Sequence, residues 1–142
     1  MSPNKQIADC DQLVVDADLL AIREIGSFLN DVVSRSVDFD PTDLVGGMEL
    51  ALQELAVNIV EHAYGDADGS ISMTWSTEGT LGTIVVRDQG PEFDWTQANR
   101  ADLDVPQVNG YGLIIIETIA ESFTHDRIGD DNVWTIVFSL AE

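Results

Sequence analysis

Three short stretches carry side chains that could do chemistry together. In ELAVNIVEHAYG, Glu54, Asn58 and His62 fall four residues apart. A helix would stack them on one face, beside an apolar stripe of Leu55, Ile59 and Ala63. A carboxylate and a carboxamide there are costly to desolvate without partners, so something polar is expected to meet them. The second stretch is DQGPEFD, Asp88 to Asp94, and the third is NGYGL, Asn109 to Leu113. Singly, each reads as something ordinary: solvated helix positions, a plain turn of Asp, Gly and Pro, a loop-to-helix junction. Together, each placed where a strand or helix end would present it, they are much less ordinary.

The chemistry that joins them is nucleotide binding. Gly110-Tyr111-Gly112 would open a helix, and helix N-termini offer free N–H groups and positive potential to phosphate. Glycine lets the backbone approach phosphate with no Cβ in the way. Asp88, at a strand end, could accept a hydrogen bond from an exocyclic amino group such as adenine's. Asn58 offers a neutral oxygen to Mg²⁺, a hard cation that keeps waters and phosphate oxygens as its other ligands. Glu54, one turn earlier, is then placed to take a proton from an attacking hydroxyl. His62 reads more simply as a structural histidine than as a ligand, and Tyr64, Trp95 and Trp134 as packing residues.

The elements that must position these groups follow from periodicity. Gln12–Asp16 is a short strand, and the apolar spacing across Ala17–Ser36 predicts a helix. Asp40-Pro41 is a helix start, a capping carboxylate before a proline at the first helical position. The second helix then runs to about Ala63, roughly 23 residues and ~35 Å, with Gly46-Gly47 marking close packing or a local break. Ser70–Ser76, with Ile71, Met73 and Trp75 on one face, and Thr83–Arg87 are strands joined by TEGTLG. Residues 88 to 112 hold no clear strand, and Leu113–Ser122 is a third helix. Phe123–Arg127, the turn IGDDN and Val133–Leu140 make a closing hairpin. Strands joined by short turns imply a mixed, mostly antiparallel sheet. With the helices gathered on one face, the expected fold is a two-layer α+β sandwich.

Bulk composition bounds the partners. The 142 residues fit one domain, 1–142. Twenty-six acids face six bases, with Lys5 the only lysine, for a net charge of -20. That argues against direct nucleic-acid binding, whose affinity comes mostly from basic residues on phosphate, and against anionic membrane surfaces. Two readings of the charge stay open: a solubilising or salt-adapted surface, or one that steers towards a basic protein partner. Cys10 is alone, so an internal disulfide is excluded. The N-terminus has no apolar signal core, and the longest aliphatic run is Leu113–Ile116. A soluble cytoplasmic protein is the expectation.

Glu54-x-x-x-Asn58 followed by His62-Ala63-Tyr64 resembles the N-box of the GHKL ATPases, and more narrowly that of the bacterial anti-sigma factor serine kinases. DQGPEFD resembles their first glycine box and NGYGL their second. The resemblance extends from about Asp16 to Leu140 and implies the Bergerat, histidine-kinase-like ATPase fold. It implies ATP and Mg²⁺ as cofactors, Glu54 as general base and Asn58 as the magnesium ligand. Asp88 would hold the adenine amino group, with Gly90 letting the base sit close. Phe93, Gly110, Tyr111, Gly112 and Leu113 would complete the nucleotide site, and Asp94–Asn109 would be a lid carrying one cation, Arg100. Such kinases phosphorylate a serine on an anti-anti-sigma (STAS-type) antagonist and bind a sigma factor, often as homodimers. The family commonly has a Gly-Thr pair near the start of its last strand; here the matching place reads Asn132-Val133, with Thr135 two residues later. A non-catalytic module, whose bound nucleotide sets its affinity for a partner, is the alternative reading.

Overall fold

The structure is a computed structural model, and it describes residues 11–18, 23–64, 69–91 and 108–141, for 62–64 and 108–113 the backbone only. Eight elements follow one another: β1 (Gln12–Asp16), α1 (Glu24–Ser34), α2 (Thr42–Asn58) with a π-helical extension (Ile59–Tyr64), β2 (Ser70–Glu78), β3 (Leu81–Asp88), α3 (Val108–Ile119), β4 (Ser122–Ile128) and β5 (Asp131–Ser139). The strands form one sheet in the order β1-β2-β3-β5-β4. The expected mostly antiparallel sheet is antiparallel at each of these pairings.

The alternation read from sequence sets the faces. Ile71, Met73 and Trp75 of β2, Ile84 and Val86 of β3, and Trp134, Ile136 and Phe138 of β5 all point into the core. They meet Ile25, Leu29 and Val32 of α1 and Met48, Leu52 and Leu55 of α2, each fully buried. The long helix packs against both other helices. A Cβ on Gly82 would collide with the Trp75 ring, so glycine there lets the indole lie across the neighbouring strand.

Two turns are tighter than the sequence implied. Glu78 pairs with Leu81, and Ile128 with Asp131, so each hairpin loop is two residues long. Gly79 and Gly129 take the first central position with φ near +60°. Glycine at a positive φ there is the II′ pattern that matches strand twist.

Helix boundaries differ more. α1 is helical from Glu24, later than the Ala17 expected, and residues 19–22 lie outside the description. α2 begins at Thr42, not at the proline. Pro41 is the N-cap and has no side-chain cap bond, while Asp40, one residue earlier, accepts the Thr42 backbone N–H at 3.0 Å and the Thr42 hydroxyl at 2.6 Å on Oδ1. Those bonds, the hydroxyl's first, hold the Asp40 carboxyl below the usual carboxylate range. α3 spans Val108–Ile119 instead of Leu113–Ser122, and Ser122 already starts β4.

Candidate nucleotide site

Register and connectivity bring the three stretches to one end of the molecule. Asp88, last residue of β3, pairs with Ile71 at the start of β2, which follows the Tyr64 end of the long helix by a few residues. An Ile119 methyl lies 3.8 Å from where a Cβ on Gly47 would sit. α3 and α2 pack extensively, so from that contact α3 runs back along α2. An antiparallel run of about eleven residues, ~16 Å along either helix, carries the start of α3 toward the Asn58 end of α2.

On α2, Asn58 is 1% exposed, and its Nδ2 donates to the Glu54 carbonyl at 2.9 Å. That bond turns the amide so that Oδ1 faces away from the helix backbone. Glu54 Oε2 is buried, and no group among the described residues bonds to it. Leaving such an atom unpaired costs roughly 1–3 kcal/mol, more if charged. A buried carboxylate oxygen, unpaired among the described residues, one turn from a carboxamide suits a hydroxyl donor beside a hard cation. Among the described residues no three His, Cys, Asp or Glu side chains group as a metal site.

The helix changes character just past this pair. From Ile59 the backbone is π-helical, closing i→i+5 turns of the kind that recur at functional sites. The four-residue step from Asn58 to His62 therefore does not continue the step from Glu54 to Asn58, and the single row of three expected from sequence ends at Asn58.

Asp88 is in the opposite condition. It is 0% exposed and bonded on both oxygens. Oδ1 accepts the Gly90 N–H at 2.9 Å and Asn132 Nδ2 at 2.9 Å. Oδ2 accepts the Trp134 indole N–H at 3.0 Å. Trp134 is thus more than a packing residue, although its ring also lies against His125 (4.4 Å between centroids) and Phe123 (6.0 Å). Asn132 Nδ2 reaches the Pro91 carbonyl at 2.8 Å as well, and His125 Nε2 bonds Asn132 Oδ1 at 2.8 Å. Arg127 Nη1 donates to the Gly90 carbonyl at 2.6 Å. Asp88 is therefore already engaged by the chain's own donors.

Sequence reading passed over Arg127 and His125 and gave Asn132 no partner. One signal for Asn132 was present. Residues 132, 134, 136 and 138 share a face of β5, and three of them are large and apolar. A lone polar residue in that row needs a partner across the sheet, and the register supplies Asp88.

Gly110, Tyr111, Gly112 and Leu113 lie inside α3, not ahead of it. Phe93 and the 94–107 stretch, with Arg100, lie outside the described residues.

This antiparallel sheet under three helices, with its polar end, defines the class. The chain matches the family model described as the histidine kinase-like ATPase domain over residues 15–138, and it belongs to that family. It is similar to the serine-protein kinase RsbW of Bacillus thuringiensis strain Al Hakam and of Bacillus cereus strain 03BB102, at 31% identity over 95 residues in each case. Those matches span 60% of this chain and 59% of the relative's length. Among solved structures it is similar to the histidine kinase domain of the Erythrobacter litoralis EL346 blue-light activated histidine kinase, with a TM-score of 0.54 and 20% identity, covering 82% of this chain and 61% of that one. The Acinetobacter baumannii histidine kinase AdeS gives a TM-score of 0.52 at 14% identity, covering 92% and 68%. These structural likenesses carry the fold alone. No helix among the described residues is long and apolar enough to cross a membrane.

Proposed function

We propose that this chain is a single-domain, cytoplasmic, ATP-dependent protein-serine kinase that is also an anti-sigma factor. It phosphorylates an anti-anti-sigma antagonist, sequesters a sigma factor and works as a homodimer. The observation that carries the reading is Glu54 Oε2, buried and with no partner among the described residues, one turn before Asn58. In this role Oε2 takes the proton of the attacking serine hydroxyl as its oxygen bonds to the γ-phosphorus and ADP leaves. Asn58 Oδ1 holds the magnesium ion, and the amides at the start of α3 hold phosphate. Magnesium, when bound, offsets charge on the transferring phosphoryl group. The Bacillus relatives are serine-protein kinases by name, which supports the reaction type.

A second reading has its own observation. Because Asp88 is bonded on both oxygens, a non-catalytic module whose nucleotide only sets partner affinity is favoured by that region. The two separate when the protein is mixed with γ-labelled ATP, Mg²⁺ and a serine-bearing antagonist. Transfer of label to that serine is the kinase result; a stable complex with no transfer sinks the kinase and leaves the module.

A further inference from the structure

We propose that Asn132 occupies the base subsite from within, and so removes this chain's preference for a nucleotide that carries an exocyclic amino group. The inference rests on the nucleotide reading above. A carboxamide nitrogen is a planar NH₂ with two donors, the same group that the amino-purine edge presents. Asn132 Nδ2 spends its donors on Asp88 Oδ1 (2.9 Å) and on the Pro91 carbonyl (2.8 Å), with the Gly90 carbonyl at 3.4 Å.

The placement is held from all sides. His125 Nε2 bonds Asn132 Oδ1. Arg127 fixes the Gly90 carbonyl that borders the same space. Trp134 occupies the other carboxylate oxygen. Asp88 and Asn132 are 0% and 1% exposed, and the β3–β5 register sets them directly opposite each other.

A carboxylate offers about four lone-pair sites, and three are taken by these donors. Asp88 is fully buried and Asn132 stands on Oδ1, so an amino group approaching that oxygen would have to evict Asn132, exchanging one hydrogen bond for another with little net gain. A site built to bond a substrate NH normally rejects the analogue that lacks it; with Asp88 engaged, that discrimination disappears.

The test compares Mg-ATP with Mg-inosine triphosphate, whose ring carries an oxygen where ATP has the amino group, by calorimetric titration of full-length wild type, Asn132→Gly and Asn132→Ala. Wild type should bind the two within about threefold of each other. Either variant should bind ATP at least about tenfold more tightly, the yield of one hydrogen bond to a charged group, with inosine triphosphate unchanged. The alanine variant guards against glycine weakening β5, and circular dichroism checks that each is folded. Wild type preferring ATP by tenfold or more, with no tightening in either variant, overturns the occupancy of the subsite and leaves the nucleotide reading standing. Folded variants that bind neither triphosphate overturn both.

Discussion

The two polar regions at this end of the molecule are built on opposite terms. Around Asp88 the chain has closed its own hydrogen bonds: three donors, two carboxylate oxygens and no exposure. Around Glu54 a buried carboxylate oxygen has no hydrogen-bond partner among the described residues. The first region contributes to folding and costs any ligand an exchange. The second lowers stability until something arrives. In such a pair, unfinished bonding is the better marker of chemistry, because a chain that keeps an orphaned buried oxygen gives up stability that a plain apolar residue would have supplied.

That contrast can be broken most sharply at Glu54. Glu54→Gln should reduce phosphotransfer to a serine substrate by about 10²–10⁴ while Mg-ATP affinity stays within about twofold; a variant that transfers at the wild-type rate removes Glu54 from the chemistry. Glu54→Met should unfold at higher urea than wild type, by on the order of 1 kcal/mol. Asp88→Ala should do the reverse. It strands the Gly90 N–H, the Asn132 amide and the Trp134 indole in the interior and should cost on the order of 3 kcal/mol. Equal urea midpoints for Asp88→Ala and Glu54→Met would erase the distinction. Trp134→Phe takes away one donor while keeping an aromatic ring against His125 and Phe123, for a loss of about 1 kcal/mol.

The smallest effect lies away from both regions, at Asp40. Its carboxyl is held below the usual range by the Thr42 hydroxyl and N–H. A lowered carboxyl pKa stabilises the fold at pH above the ordinary carboxylate value, and that contribution fades as pH falls through the folded value. Asp40→Asn should therefore flatten a shallow acid-side part of the melting curve and leave pH 7 phosphotransfer alone; an unchanged pH profile would show that these bonds contribute nothing measurable.

Much of this was legible in the residues. The β1 limits, the inward row of β2, the Asp40 bonds at the start of α2 and the placing of Glu54 with Asn58 all follow from local pattern. Each depends on neighbours a few positions away, where periodicity of two or four speaks plainly. What escaped depends on long-range pairing or on backbone that periodicity does not register. Asn132 meets Asp88 only because β3 and β5 pair with α3 and β4 between them in the chain. The start of α3 was hidden because Asn109, Gly110 and Gly112 are poor helix formers, so the apolar run from Leu113 set the expected boundary. The π turn after Asn58 kept an i, i+4 spacing in the sequence that the backbone does not keep.

That turn leaves the long helix with a swivel. An i→i+5 turn stores one residue more than the α-helix it extends, and each α-helical residue is worth about 100° of rotation. If the surplus slid along the helix, everything past it would face a new direction while Glu54, Asn58 and the packing of α2 before them stayed still.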